Sequence, residues 1–372
     1  DEYDLLRKRL ETYISISKEG GWPTLPDTIS LRPGDYDNSV YDIRNRLSYS
    51  NDLGVSLSGG RGSGVYEGKL VDAVKSFQKR HGLNSNGIVD KETIEAMNVS
   101  VDYRIAQIKI NLERLRWMPH EKDEKYLLVN VPEFKLRIYR KNKVVDDMRV
   151  IVGRLGTPTP LINSEIDYVI MSPTWAVPNQ IFNESVLPKV KKDPNYLDNA
   201  GYKLYASLDG NSETLIDPSS LKWNEIEVIQ NDYRVIHTPS PSDEKKGGIK
   251  FVIPNSESLY LCDAPTPSLF DFSYRTFNYT SISVEEPKKL ARYIINQKKW
   301  DLEAIEENMN LKEPFTIVPE SKIPIYVTYL TSIIDDRGNL IFSKDIYEYD
   351  KKQAELMGID MTASVFNDSF SE

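Results

Sequence analysis

Apolar residues recur at helical spacing over the first third of the chain. Residues 2–18 bring Leu5, Leu6, Leu10, Tyr13 and Ile14 to one face, and Gly20, Gly21 and Pro23 stop that helix. An amphipathic stretch over 40–47 follows, and another over 70–81 aligns Leu70, Val74 and Phe77. Residues 56–68 between them are rich in Gly and Ser, which predicts a loop. A short helix is predicted over 91–97. A long one over 101–117 carries Ile105, Ile108, Leu112 and Leu115 and ends before Pro119. The helices over 2–18 and 101–117 bracket the intervening segment and can pair as a scaffold.

Beyond residue 121 the period changes from helical to alternating. Runs 125–131, 134–140 and 143–152 read as strands, with Pro132 at the first break. Residues 153–160 form a turn-rich crossing, and 166–171 is a further strand. Residues 174–235 are aromatic, broken by proline and partly helical. Strands return over 249–253 and 258–262, a helix over 286–297, and a last strand pair over 325–334 and 340–346. After residue 350 the chain is polar and predicts a loose tail. The pattern is that of an α+β chain whose second part is an antiparallel β domain with a few helices.

Composition narrows the function more than the fold. The 372 residues are 40% hydrophobic and 28% charged, ordinary values for a globular chain of two or three domains. No apolar run approaches the ~18 residues of a membrane span. A net charge of −9 and a pI near 5.2 argue against a nucleic-acid partner. The single cysteine, Cys262, excludes an intrachain disulfide, a CxxC redox pair and a cysteine-based zinc site. His81, His120 and His237 lie far apart, and no metal-ligand motif accompanies them, so neither metal nor cofactor is expected. The chain opens at Asp1 without an apolar leader, as a trimmed or mature secreted chain would.

Phe77-Gln78 at a helix end, Gly82-Leu83, the Asn86-Gly87 turn and Asp90 with Thr93 stand in the order of a known signature. On these residues the segment 28–98 resembles the three-helix peptidoglycan-binding domain. Asn replaces the usual Asp at position 86, which keeps the tolerance for left-handed backbone. The resemblance implies a glycan ligand, with Phe77 and Gln78 as candidate binding residues. The alternative is that Phe77, Gly82 and Gly87 only build the module.

The second half carries longer matches. They include Val131-Pro132-Glu133-Phe134-Lys135-Leu136, Gly153-Arg154, Thr157-Pro158-Thr159-Pro160, Pro173-Thr174-Trp175, Asp193-Pro194-Asn195-Tyr196, Lys250-Phe251 and Tyr326-Val327-Thr328-Tyr329. This half resembles the catalytic domain of the L,D-transpeptidases, in the large periplasmic type with an inserted peptidoglycan-binding module and a cap. The resemblance implies a helical scaffold over 1–27 and 99–122, the small module over 28–98, and a mostly-β transpeptidase-like domain over 123–350. It also implies a cap at about 174–235 and leaves 351–372 as the polar tail.

In that family a cysteine thiolate attacks a stem-peptide carbonyl. A histidine lowers its pKa, and backbone N–H groups freed by a glycine hold the oxyanion. Here Cys262 stands where the family has its upstream histidine. Ser281 falls on the nucleophile, Thr280 on the glycine, Ser283 on the arginine and Tyr279 on the general-base position. A serine nucleophile needs a base, and no histidine lies in 259–284. A Cβ at 280 crowds the place where backbone must approach substrate.

These replacements predict a pseudoenzyme that binds peptidoglycan or regulates its cross-linking. The alternative is an active acyl transferase with a relocated nucleophile, Ser281 or Cys262, the latter with His237 as its base. Trp175, Tyr196 and His237 are further candidate ligand contacts. The partners so implied are a stem peptide or glycan and an active transpeptidase, and the implied location is the periplasm or cell envelope.

Overall fold

The computed structural model describes residues 2–50, 52–53, 64–119, 123–177, 179–207, 213–230, 233–237, 248–264, 266–279, 281–309, 311 and 313–361, without the side chains of 175, 176, 207 and 213. In chain order the first helices are α1 (Glu2–Lys18), α2 (Ser39–Tyr49), α3 (Lys69–Arg80), α4 (Lys91–Asn98) and α5 (Val101–Trp117). Strands β1 (Lys125–Asn130), β2 (Lys135–Arg140), β3 (Lys143–Gly153), β4 (Ile162–Ile166) and β5 (Tyr168–Met171) follow. The cap segment holds β6 (Trp175–Val177), α6 (Asn179–Ile181), α7 (Leu187–Lys192), α8 (Tyr196–Asn199), β7 (Tyr202–Ser207), β8 (Glu213–Ile216) and β9 (Tyr233–His237). Next come β10 (Ile249–Val252), β11 (Tyr260–Asp263), β12 (Thr276–Asn278), β13 (Ser281–Val284), α9 (Pro287–Ile295) and α10 (Leu302–Asn308). The chain closes with β14 (Phe315–Ile317), β15 (Ile323–Thr328), β16 (Ser332–Ile334), β17 (Leu340–Phe342) and α11 (Tyr349–Met357). No helix among the described residues is long and apolar enough to cross a membrane.

The chain divides into two compact units. Unit 1 joins Asp1–Asp147, Asp271–Arg275 and Tyr326–Glu372, and unit 2 joins Met148–Phe270 and Thr276–Ile325. In unit 1 the apolar stripes of α1 and α5 share a core: Leu6, Tyr13, Ile108 and Leu112 cluster with Leu340 and Phe342. A separate core of Val40, Ile43, Leu47, Leu70, Val74, Phe77, Ile94 and Met97 holds the small helical module together.

That module explains its own signature. Gln78 accepts from the Gly87 N–H at 2.9 Å and donates to the Ile88 carbonyl at 2.8 Å and to Thr93 Oγ1 at 3.1 Å. Asp90 caps α4 by accepting from the Thr93 N–H at 2.9 Å. Gly87 needs its left-handed φ of +77°, and a Cβ there would lie 2.9 Å from Val71. Phe77 is fully buried and Gln78 is 1% exposed, which corrects the expectation that they face a ligand. Both are spent on the inside of the module.

The polar tail expected from residue 351 also needs correcting, because α11 continues to Met357. Asp350 and Ala354 are its buried residues, too few to print an apolar stripe on the sequence. Gly358 then ends the helix in the left-handed region, at φ +65°.

Unit 2 is built on a sheet ordered β14-β5-β10-β11-β13-β3, with β12 beside β3. β10 pairs antiparallel with both β5 and β11. β11 and β13, however, run parallel, as do β12 and β3, so the expectation of an antiparallel domain fails at these pairs. The connection over 264–280 is long enough for the crossover a parallel pair requires. Phe251, Leu261 and Ile282 sit on adjacent strands and are fully buried, marking one face of the sheet as core.

The segment expected as a cap forms a separate four-stranded sheet, β6-β9-β7-β8, with a core that includes Phe182, Val190, Leu197, Leu204, Trp223 and Val235. The crossing after β3 is tight. The Gly153 N–H donates to Thr159 Oγ1 at 2.8 Å, and a Cβ on Gly153 would fall 2.2 Å from the Thr157 carbonyl oxygen. Gly153→Ala should therefore lower stability by about 1–3 kcal/mol through forced backbone movement. A chemical denaturation midpoint equal to that of the parent would refute this.

Candidate functional site

Two strands of unit 2, β11 and β13, carry the predicted positions Cys262, Ser281 and Ser283, and β10 lies beside β11. The register places Lys250 opposite Cys262 across β10 and β11, and Cys262 opposite Ser283 across β11 and β13. Tyr260 stands opposite Ser281 in the same way. Side chains alternate along a strand, so these residues share the face opposite to Phe251, Leu261 and Ile282. One side of the sheet is core, and the other is a polar strip.

On that strip Cys262 and Ser283 lie side by side. The Cys262 sulfur is 3.7 Å from Ser283 Oγ and 3.9 Å from the Ile282 carbonyl oxygen. Burial pushes its thiol up to about 11, against smaller opposing effects of the Ser283 and Ser281 hydroxyls and of Lys250. Asp263 adds to the rise. A thiolate nucleophile needs the reverse environment.

Ser283 is 2% exposed and occupies a site shaped by Asn278. The Asn278 amide donates to Ser283 Oγ at 3.1 Å, to the Ser281 carbonyl at 2.9 Å and to the Ile151 carbonyl at 3.1 Å. A buried hydroxyl held by an amide replaces the arginine that the resemblance calls for.

Ser281 is half-buried at the start of β13. Its neighbour Tyr260 has a phenol pushed up to about 12, chiefly by burial, so it remains protonated and offers no base. Tyr279 lies under a cation, with the Arg154 guanidinium 3.5 Å from its ring centroid. The Arg154 backbone N–H donates to the Asn278 carbonyl at 2.9 Å, which ties the turn after β3 to β12. Thr280 lies outside the described residues.

Asp263 belongs to the other side of β11. Its carboxylate accepts from the Gly248 N–H at 2.6 Å and the Ile249 N–H at 3.2 Å, and burial raises its pKa to about 6. It anchors the start of β10.

The remaining candidates belong to the cap. His237 ends β9, with Nε2 3.0 Å from the Ala200 carbonyl oxygen and its ring 4.5 Å from that of Tyr202. Tyr196 is half-buried in the cap core, and its hydroxyl lies 3.3 Å from Lys189 Nζ. The backbone of Trp175 forms β6, and its side chain is outside the described set. Among the described residues no three His, Cys, Asp or Glu side chains gather as metal ligands.

Lys250, Tyr260 and Asn278 were not singled out by the sequence. Lys250 and Tyr260 join the strip through cross-strand register, and Asn278 through the short parallel strand β12. Lys250 entered the sequence reading only as part of the Lys250-Phe251 match, and Tyr260 and Asn278 carry no local sequence signal.

Residues 124–294 match the L,D-transpeptidase catalytic domain, and residues 37–97 match a family described as "Putative peptidoglycan binding domain". A Haemophilus influenzae protein named "Putative L,D-transpeptidase" is 30% identical over 296 residues, spanning 78% of this chain and 57% of that protein. The chain thus covers a little over half the length of that relative. Among solved structures, an L,D-transpeptidase from Stackebrandtia nassauensis is similar at 13% identity, with 80% of this chain and 97% of that one covered and a TM-score of 0.30. One from Xylanimonas cellulosilytica is similar at 11% identity, with 82% and 100% covered and a TM-score of 0.26.

Proposed function

We propose that this chain, whose residues 124–294 match the L,D-transpeptidase catalytic domain, is a member of that family whose acyl-transfer site is silent and whose task is to bind peptidoglycan. One observation carries this reading. The only thiol in the chain is held protonated beside a buried serine, with no histidine in 259–284 to activate it or Ser281.

The match of residues 37–97 to a peptidoglycan-binding family supports the ligand class. Within this proposal the protein works in the periplasm or cell envelope, holding stem peptides or glycan and modulating an active transpeptidase. The competing reading, a relocated nucleophile at Ser281 or Cys262, would require covalent capture of an acylating drug.

Two measurements on the intact chain test the proposal. Incubation with a carbapenem should leave the protein mass unchanged, and purified sacculi should retain the chain above an unrelated acidic protein. A drug adduct on Ser281 or Cys262 would establish the competing reading, and absence of retention would remove the binding role.

A further inference from the structure

The polar strip contains a cation with no ion-pair partner among the described residues. Lys250 is half-buried on β10, with its ammonium 3.9 Å from the centroid of the Tyr260 ring. Its strand neighbours are Ile170 on one side and Cys262 on the other, an aliphatic chain and a protonated thiol. The carboxylate nearest in register, Asp263, is one residue further along β11 and so is carried to the opposite face, where two backbone N–H groups use it. Among the described residues none forms an ion pair or side-chain hydrogen bond with the Lys250 ammonium. Burial lowers its pKa, against a smaller opposing effect of Cys262, and the Tyr260 ring face favours the charged form by contact.

Keeping a partly desolvated ammonium without an anion is costly, and the cost is recovered only when an anion arrives. The neighbourhood is suited to an oxygen anion. Ser281 stands next to Tyr260 in the register, and both present neutral O–H groups on the same side of the sheet as the ammonium. Charge-assisted hydrogen bonds from such donors are the stronger kind.

We propose that Lys250, flanked by Tyr260 and Ser281, is a receptor for a carboxylate, and that the ligand on this face is a peptide held by its free carboxyl end without covalent attack. This rests on the reading of the face as a binding rather than a reacting surface. It names the chemistry of the ligand and makes Lys250 the residue that selects it. Small inorganic anions share that chemistry, and the experiment separates the two sources.

The intact chain is titrated, by calorimetry, with a short peptide bearing a free C-terminal carboxylate, with the same peptide as its amide, and with inorganic phosphate. The acid should bind, and the amide should bind at least tenfold more weakly. Lys250→Met should lose at least tenfold in affinity for the acid, while Lys250→Arg retains a measurable part of it. Circular dichroism melts establish that both variants are folded, and the acid–amide comparison on the parent needs no variant at all.

Equal binding of acid and amide, or parent-like affinity in Lys250→Met, would overturn the proposal. Phosphate binding without peptide binding would also overturn it, reducing the site to one for small anions. Neither failure touches the silent-site reading, which is judged from the carbapenem mass and from retention on sacculi.

Discussion

Asp350→Ala should destabilise unit 1 by about 3–5 kcal/mol, a large part of the ~5–15 kcal/mol that holds a typical domain folded. Asp350 is fully buried. One of its oxygens lies 2.5 Å from Arg114 Nη1, and the other accepts from Thr331 Oγ1 at 2.5 Å. Thr331 is in turn held by Asn111, whose amide donates to Thr331 Oγ1 at 2.7 Å and whose carbonyl accepts from the Thr331 N–H at 2.8 Å. Removing the carboxylate leaves the Arg114 guanidinium, itself 8% exposed, without its anion and frees a buried hydroxyl. Arg114 would keep the Tyr329 carbonyl and ring and the Gln353 side chain, none of them charged. Urea unfolding followed by circular dichroism measures the loss, and an unchanged midpoint would show that this pair is not structural. The double variant Arg114→Met/Asp350→Leu should recover much of the stability, because it removes both charges together.

Alkylation of Cys262 should be about 300-fold slower in the native chain than in the urea-unfolded chain at pH 7.5, from ionisation alone. With the thiol at about 11 the thiolate fraction is about 0.03%, against about 10% for an ordinary thiol near 8.5. Crowding by Ser283 and Ile282 lowers the native rate further. Native reaction within tenfold of the unfolded rate would mean that the sulfur is activated, and would revive it as a nucleophile.

The same shift has a consequence for stability. Above about pH 8.5 the unfolded chain releases this proton while the native chain keeps it. The unfolded state then binds fewer protons and stability falls with rising pH. The contribution of Cys262 is complete below about 8.5 and is lost progressively up to about 11.

Much of the architecture was visible in the sequence because local pattern controls it. The helices over 2–18 and 101–117 print their apolar stripes, β2 prints its alternation, and β1, buried on both faces, prints a short apolar run. What failed were features set by partners distant in sequence. The parallel pairing of β11 with β13 follows from a crossover, and no alternation within either strand distinguishes it from an antiparallel pair. The helix after Tyr349 is fixed by Arg114 reaching Asp350, a partner 236 residues away.

The candidate site shows the same division. Cys262, Ser281 and Ser283 were legible because they stand at motif positions, and the structure gathers them on one face. Lys250 was visible only as part of a matched dipeptide, and Asn278 not at all, since their placement beside Cys262 and Ser283 exists only once β10, β11, β12 and β13 are in register. Phe77 and Gln78 mark the opposite error. Their pattern was sound, but it encodes the inside of a small module rather than its outer surface.

Unit 1 is assembled from the first and the last parts of the chain, which puts a delay into its synthesis. Gln107 and Asn111 on α5 wait for Thr331 and Ser343, and Arg114 waits for Asp350, across separations of 220 to 236 residues. At ~5–20 residues per second the ribosome needs roughly ten to fifty seconds to deliver those partners. The small helical module draws its core from residues 25–97 and can build it while the rest is still being made, with Arg80 left waiting for the Leu340 carbonyl. During that interval α5 carries two amides and a guanidinium destined for the interior but still in contact with water. The newborn chain is therefore most in need of protection late, when its first helix pair is already formed and still unfinished.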